Sequence, residues 1–291
     1  DVDAGRFEAA VAAAVPLRLL GALHDLVLSG DAPSLADAYP RRDQAADPAR
    51  AWSQARRALA EHSPSIRAFI DHEPQTNEAR RPVALLGGFL TIAKETGLPL
   101  RCFELAASAG LNLSWDQYRY QLGDAAWGPE SPVFLPTDWS GPCPPLDQAP
   151  RVIERAACDR RPTDISDPLQ RRRLLAYIWP DQFERLDRIR AAIDMALAWA
   201  QGAGPKAGAA TVLYHSVFWQ YMPAASQAAL RQVIDRHAQS ATVDAPFAWL
   251  RMEPPPEDMA QMEIRLNVWP GGDDRILAQA HPHGAWVSWR G

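Results

Sequence analysis

The sequence predicts an α/β protein: a Rossmann-like sheet that ends in an antiparallel hairpin, preceded by an α-helical N-terminal region. Three stretches carry that expectation. Leu100 to Leu113, LRCFELAASAGLNL, runs from mostly apolar residues through Glu104 into small residues at Ala106, Ser108 and Gly110. A buried parallel strand feeding a tight turn and then a helix reads this way. TVLYHSVFWQYMP is a second largely apolar strand, followed by the helical SQAALRQVIDRHAQ and the strand PFAWLRMEP. EIRLNVWPGGDDRILAQAHPHGAWVSW then reads as two strands joined at Gly271-Gly272-Asp273-Asp274.

Ahead of the sheet, residues 5 to 98 read as helices, so the chain divides into a helical region over 1–98, a lid or cap, and an α/β domain over 99–291. Pro16 opens a helix with Leu17, Leu20, Leu23 and Val27 as its apolar positions, and Gly30 closes it. Asp47-Pro48 and Ser63-Pro64 each read as a cap and first-turn pair for two further helices. In QTNEARRPVALLGGFLTIAKETG, Thr76 or Asn77 serves as cap, and Val83, Leu86, Leu90 and Ala93 share a face. The polar cluster Gln75, Thr76, Asn77 and Glu78 has two readings, plain capping or a corner that closes over a pocket and holds substrate.

Beyond the central turn, WDQYRYQLGD and PVFLPTDWSG look like a short arm, so 114–150 is expected to be an insertion. RVIERAACD reads as a strand ending at Asp159. Asp164 or Ser166 is the expected cap of the helix LQRRRLLAYIW, and DQFERLDRIRAAIDMALAWAQ is a second helix with Phe183, Leu186, Ile189, Ile193 and Leu197 on one face. A doubly wound sheet wants another strand and helix before TVLYHS, so either a stretch is missing near 200–210 or the sheet is reduced. The first residue is not Met, as in a record that starts inside its natural chain.

Composition narrows the function classes. At 47% hydrophobic and 22% charged, the 291-residue chain can build a sizeable core. A net charge of −5 argues against broad binding to a phosphate backbone, so no nucleic-acid partner is expected. Cys102, Cys143 and Cys158 form no C-x-x-C pair, which fits a reducing cytoplasm with neither a disulfide framework nor a zinc site. No stretch approaches the ~18 apolar residues of a membrane span. Eleven tryptophans are many for this length, and packing is the expected use of most.

The central turn has the register of a ligand site. Small side chains at alternate positions let backbone approach a ligand, and a helix N-terminus offers free N–H groups. A dinucleotide fingerprint started at Ala106 would need a small residue where Leu111 stands. An acid followed by small residues at every second position is instead the S-adenosylmethionine pattern, and Glu104, Ala106, Ser108 and Gly110 follow it with one of the usual three glycines. A plain strand–turn–helix junction remains the alternative. On the ligand reading these four residues and Asn112 contact the cofactor and Asp159 takes the ribose hydroxyls, although the interval from Glu104 is far longer than the usual ~20 residues.

QTNE, FELAASAGLNL, WDQYRY, IWPDQ and VLYHSVFWQYMP, in this order over nearly the whole chain, resemble a bacterial family known only as a domain of unknown function, similar in layout to S-adenosylmethionine-dependent methyltransferases. Members usually carry Gly at the position of Ala106 and more sequence before VLYHS. The resemblance implies a methyltransferase-type sheet and a cofactor class, and no activity.

For chemistry, His215 at a strand end is a general-base candidate, since its ordinary pKa near 6.5 suits that role. Tyr214, Trp219 and Tyr221 would form an aromatic wall beside a methyl cation. His281 and His283 flank Pro282 without a third metal ligand, and A-A-S-A-G around Ser108 lacks the first glycine of a nucleophile elbow. Two functions follow: a methyltransferase acting on a small molecule, or a non-catalytic Rossmann-like binding or scaffold protein. An oxidoreductase ranks third and a serine hydrolase fourth.

Overall fold

A computed structural model describes residues 14–72, 74, 78–159, 162–187, 208–222, 224–255, 258 and 260–291. Its helices are α1 (Val15–Ser29), α2 (Pro33–Ala36), α3 (Pro48–Glu61), α4 (Ser63–Ile70), α5 (Pro82–Thr96), α6 (Pro168–Ala176) and α7 (Ala224–Ser240). The strands are β1 (Leu100–Leu105), β2 (Arg119–Leu122), β3 (Ala125–Trp127), β4 (Phe134–Ser140), β5 (Val152–Cys158), β6 (Ala210–Ser216), β7 (Phe247–Glu253), β8 (Met262–Trp269), β9 (Arg275–Ala280) and β10 (Trp286–Trp289). The chain forms two compact units, Asp1–Asn77 with Thr163–Arg190, and Glu78–Pro162 with Ala191–Gly291.

The boundary therefore falls at Asn77/Glu78, not at residue 98, because α5 belongs with the sheet. Its side chains from Pro82 to Leu90 are all buried, too apolar for a surface helix. Two glycines set how close it lies. A Cβ on Gly87 would stand 2.3 Å from the Trp289 ring, and one on Gly88 2.4 Å from Leu250.

In the helical unit, Pro16 sits in the first turn of α1, and Gly30 (φ 85°) ends it, its N–H donating to the Val27 carbonyl at 3.1 Å. Asp47 caps α3 by accepting from Ala49 N–H at 2.9 Å. For α6 the cap is Asp167, which accepts from Leu169 N–H at 2.9 Å, while Asp164 accepts from Ser166. Leu23, Leu26, Leu35, Ile66, Phe69 and Tyr177 make the core of this unit, so α6 is drawn into it. Arg172 joins α6 to Asp25 at 2.8 Å. The helix expected from residue 181 is present over 183–187, and the rest of it, like the expected gap near 200–210, lies outside the described residues.

The second unit is a mixed α/β layer structure around ten strands in the order β3-β2-β4-β10-β9-β8-β7-β6-β1-β5. β5, β1, β6 and β7 are parallel neighbours. β8, β9 and β10 continue antiparallel from β7. The C-terminal stretch thus makes three strands where two were expected, because the His281–Gly284 turn reverses the chain a second time. The 114–150 segment also contributes to the main sheet, since β4 pairs in parallel with β10 and carries β2 and β3 beyond it. Its aromatics pack as expected: Trp115 stacks on Phe89 with centroids 4.1 Å apart, and Tyr118 and Tyr120 donate to the Leu111 and Trp115 carbonyls. On one face Ile234 of α7 packs with Phe247 and Trp249. No helix among the described residues is long and apolar enough to cross a membrane.

Candidate functional site

After β1 the chain makes β2, β3 and β4 beyond β10, comes back as β5 on one side of β1, and then crosses to β6 on the other. Strand order thus reverses at β1, and in open α/β sheets the crevice beyond the carboxyl ends at such a reversal is where ligands bind. The turn after Leu105 occupies that edge. Ala106 (φ 55°), Ser108 (φ 51°) and Gly110 (φ 68°) all adopt left-handed backbone, so two non-glycine residues take a conformation costing about 1–2 kcal/mol each. The alternation of small residues read from the sequence is an alternation of left-handed positions. All three are half-buried.

Hydrogen bonds hold this turn against the end of β5. Ala107 N–H donates to the Cys158 carbonyl at 3.3 Å and Ser108 N–H to Asp159 Oδ2 at 2.8 Å. Asp159, expected on a ribose, spends one carboxylate oxygen on the turn itself. Behind the turn, Leu111–Gln117 forms a 3-10 helix. Arg155 of β5 fastens it, donating to the Leu113 carbonyl at 2.7 Å and pairing with Asp116 at 2.5 and 2.7 Å. Both side chains of this pair are buried.

Glu104 and Tyr214 are register partners, so their side chains share the sheet face that carries α5. Glu104 is 3% exposed, with Asn112 Nδ2 donating to Oε1 at 3.2 Å and the Tyr214 hydroxyl to Oε2 at 3.4 Å. Burial pushes its carboxyl up to about 8, against the downward pull of those two bonds and of Arg81. At neutral pH this acid is mostly protonated. Burial likewise pushes the Cys102 thiol up to about 12.

His215 points to the opposite face. It is fully buried, its Nδ1 lies 2.7 Å from Glu253 Oε1, and Trp249 Nε1–H donates to its Nε2 at 3.1 Å. An indole N–H only donates. Nε2 therefore carries the lone pair, already engaged, and Nδ1 carries the proton given to Glu253. Glu253 also accepts from Phe218 N–H at 2.9 and 3.1 Å. Between them Val217 has φ 53°, rare for a β-branched residue. In this bonding His215 anchors Glu253 and the Val217–Phe218 backbone; it has no open lone pair for a general base.

The pleat thus separates residues that the sequence grouped. Tyr214 meets Phe89 edge-on at 5.1 Å on one face, while Trp219 stacks on His215 at 5.7 Å on the other, so the two do not share a wall. Gln75, Thr76, Asn77 and the Tyr221 side chain lie outside the described residues. Glu78 is buried, accepts from Arg80 N–H at 3.1 Å and approaches His283 Nδ1 at 3.6 Å. His281 Nδ1 accepts from His283 N–H at 3.0 Å, and no metal-binding cluster occurs among the described residues. Sequence reasoning missed Arg81, Asp116, Arg155 and Glu253. The available signal was a charge inside an apolar strand, at Arg155 in RVIERAACD and at Glu253 in PFAWLRMEP.

A larger cavity, about 650 Å³, lies over Phe103, Leu213, Leu230 and Phe247. It runs along the sheet face from Pro246, just before β7, to Glu104, Leu105 and Cys158 at the carboxyl ends of β1 and β5.

Fold and edge together define a mixed α/β protein with a strained turn at a strand-order reversal. The chain belongs to the family described as "uncharacterized protein conserved in bacteria" (DUF2332), whose profile matches residues 2–289. No curated protein and no solved structure gives a significant match.

Proposed function

We propose that the crevice at the end of β1 binds an adenosine-bearing molecule, S-adenosylmethionine first among them, and that the protein is a methyltransferase acting on a small molecule. One observation carries the reading. Ser108 Oγ and Asn112 Oδ1 are buried without a hydrogen-bond partner among the described residues, and they flank the left-handed turn at the strand-order reversal. Buried polar atoms ordinarily find partners. The amine and hydroxyls of S-adenosylmethionine are donors of the kind these oxygens lack, so the residues present fit the group. When bound, that group supplies a methyl on a sulfonium, already activated for transfer.

The protein's own part is positioning. Asp159 fixes the turn through Ser108 N–H, Asn112 and Tyr214 hold Glu104, and His215 holds the loop after β6 through Glu253. A second reading, ligand binding without turnover, is favoured by that same engagement of both His215 nitrogens.

Titration calorimetry with S-adenosylmethionine, S-adenosylhomocysteine and NAD tests the proposal. Saturable binding of the first two, lost in Gly110→Trp whose melting stays cooperative, is the expected result. Binding of none overturns the methyltransferase reading and favours a scaffold role, and tight NAD binding alone moves the protein to hydride chemistry. Methyl transfer to any acceptor in a survey of small molecules separates turnover from binding.

A further inference from the structure

We propose that the helical unit holds a second small-molecule site, a pocket for a compact, uncharged aromatic compound. The inference is independent of the edge crevice, since every lining residue belongs to the helical unit. The pocket encloses about 300 Å³ between α1, α3 and the chain just after α6, with Leu23, Ala38, Ala55 and Ile178 among its walls. No Asp, Glu, Lys or Arg among the described residues lines it. An apolar pocket that opens to the surface keeps hydrophobic side chains in contact with water, which requires an explanation.

The surface at its mouth supplies one. Leu20, Trp52 and Trp179 are 42%, 63% and 44% exposed, and all three line this pocket. Only three other large hydrophobic side chains are comparably exposed among the described residues, so half of that unfavourable surface converges on one opening. Convergence of exposed apolar groups on a cavity marks a binding site more than a packing fault. Gly21 lets α1 pack close against Tyr177 beside the pocket, because a Cβ there would stand 3.0 Å from that ring.

Size and lining select the occupant. A cavity of about 150 Å³ holds benzene, so one twice as large accommodates a two-ring aromatic of roughly ten to twelve heavy atoms. Such a volume is far too narrow for a helix, which is about 10 Å across. Four rings, Tyr39, Trp52, Tyr177 and Trp179, stand among the aliphatic side chains of the wall, and they offer stacked or edge-on contacts that an aromatic partner can use. His24, the imidazole among the described lining residues, spends Nδ1 on the Ile178 carbonyl at 2.9 Å.

Calorimetry on the full chain with 2-naphthol, neutral at pH 7, and with octanoate as the anionic aliphatic control tests the site. One saturable 2-naphthol site per chain is expected, with octanoate at least tenfold weaker. Ala55→Phe, which fills the pocket, should weaken 2-naphthol at least tenfold. Trp52→Ala changes only an exposed side chain, keeps the fold, and should weaken it severalfold, so the test survives if the filled variant fails to fold. Absence of saturation, or binding that Trp52→Ala leaves unchanged, overturns the proposal. So does sedimentation showing a dimer that Trp52→Ala dissociates while 2-naphthol does not bind, which would give the mouth to a second copy of the chain.

Discussion

Glu104→Gln isolates a strongly perturbed carboxyl at the edge of the sheet. In the folded protein the carboxyl holds its proton up to about pH 8, whereas the ordinary value is 4.5. Between those values the folded chain binds a proton that the unfolded chain has released. The acid's contribution to stability is therefore fully present below pH 4.5 and is lost as pH rises to about 8. At about 1.36 kcal/mol per pH unit, the loss accumulates to about 3–4 kcal/mol between pH 5 and pH 8. Gln keeps the size of the protonated acid and one N–H donor, which Asn112 Oδ1, lacking a partner, can accept once the amide turns over. The variant carries no titrating group, so its stability relative to the native protein should improve with pH by that amount. Urea unfolding of both proteins from pH 5 to pH 8.5 measures the difference, and other titrating groups cancel between the two curves. A gap constant within about 0.5 kcal/mol over that range would refute the argument that burial keeps this carboxyl neutral.

Other substitutions test the supports of the same edge. Asp116→Ala breaks the buried pair with Arg155 and should cost about 3–5 kcal/mol by chemical denaturation, with Arg155→Met in the same background recovering part of it. Ala106→Gly removes a left-handed alanine, and the ~1–2 kcal/mol strain it relieves exceeds the ~0.5–1 kcal/mol entropy that glycine adds, so thermal unfolding should shift upward by a few degrees. Glu253→Ala strips acceptors from His215 Nδ1 and Phe218 N–H, and a loss of about 2–4 kcal/mol in unfolding free energy is expected. Gly88→Ala drives a methyl into Leu250 beneath α5 and should cost about 1–3 kcal/mol in the same measurement.

How far the fold was legible follows from which signals are local. Pro16, Gly30 and Asp47-Pro48 set helix ends through their own backbone, and the structure places those ends within a residue or so of the sequence reading. Ser63-Pro64 misled because α4 starts at Ser63 itself, with His62 before it. Apolar runs located β1, β5, β6 and β7, yet a run says nothing about which strand lies beside it. The pairing of β4 with β10 joins residues about 150 apart in sequence, so an insertion became part of the main sheet. Likewise α6 was recognisable as a helix, but its place beside α1 depends on Tyr177 meeting Gly21, a fit of shapes that no periodicity encodes.

The candidate site was legible in the same partial way. Counting glycines in LRCFELAASAGLNL undervalues the turn, because Ala106 and Ser108 accept left-handed backbone as Gly110 does. That conformation persists only where surroundings enforce it, and here the enforcing groups are Cys158 at the end of β5 on Ala107 N–H and Asp159 just after it on Ser108 N–H. The turn is thus shaped by a neighbouring strand more than by its own residues, and β5 is held in turn by Arg155 reaching Asp116 across the 3-10 helix. If the edge binds a ligand, affinity should follow the integrity of β5 as closely as the identity of the turn residues. Asp159→Asn, which keeps an acceptor for Ser108 N–H while removing the charge, is then expected to preserve binding better than Asp159→Ala. Equal losses in the two variants would return Asp159 to direct contact through its charge.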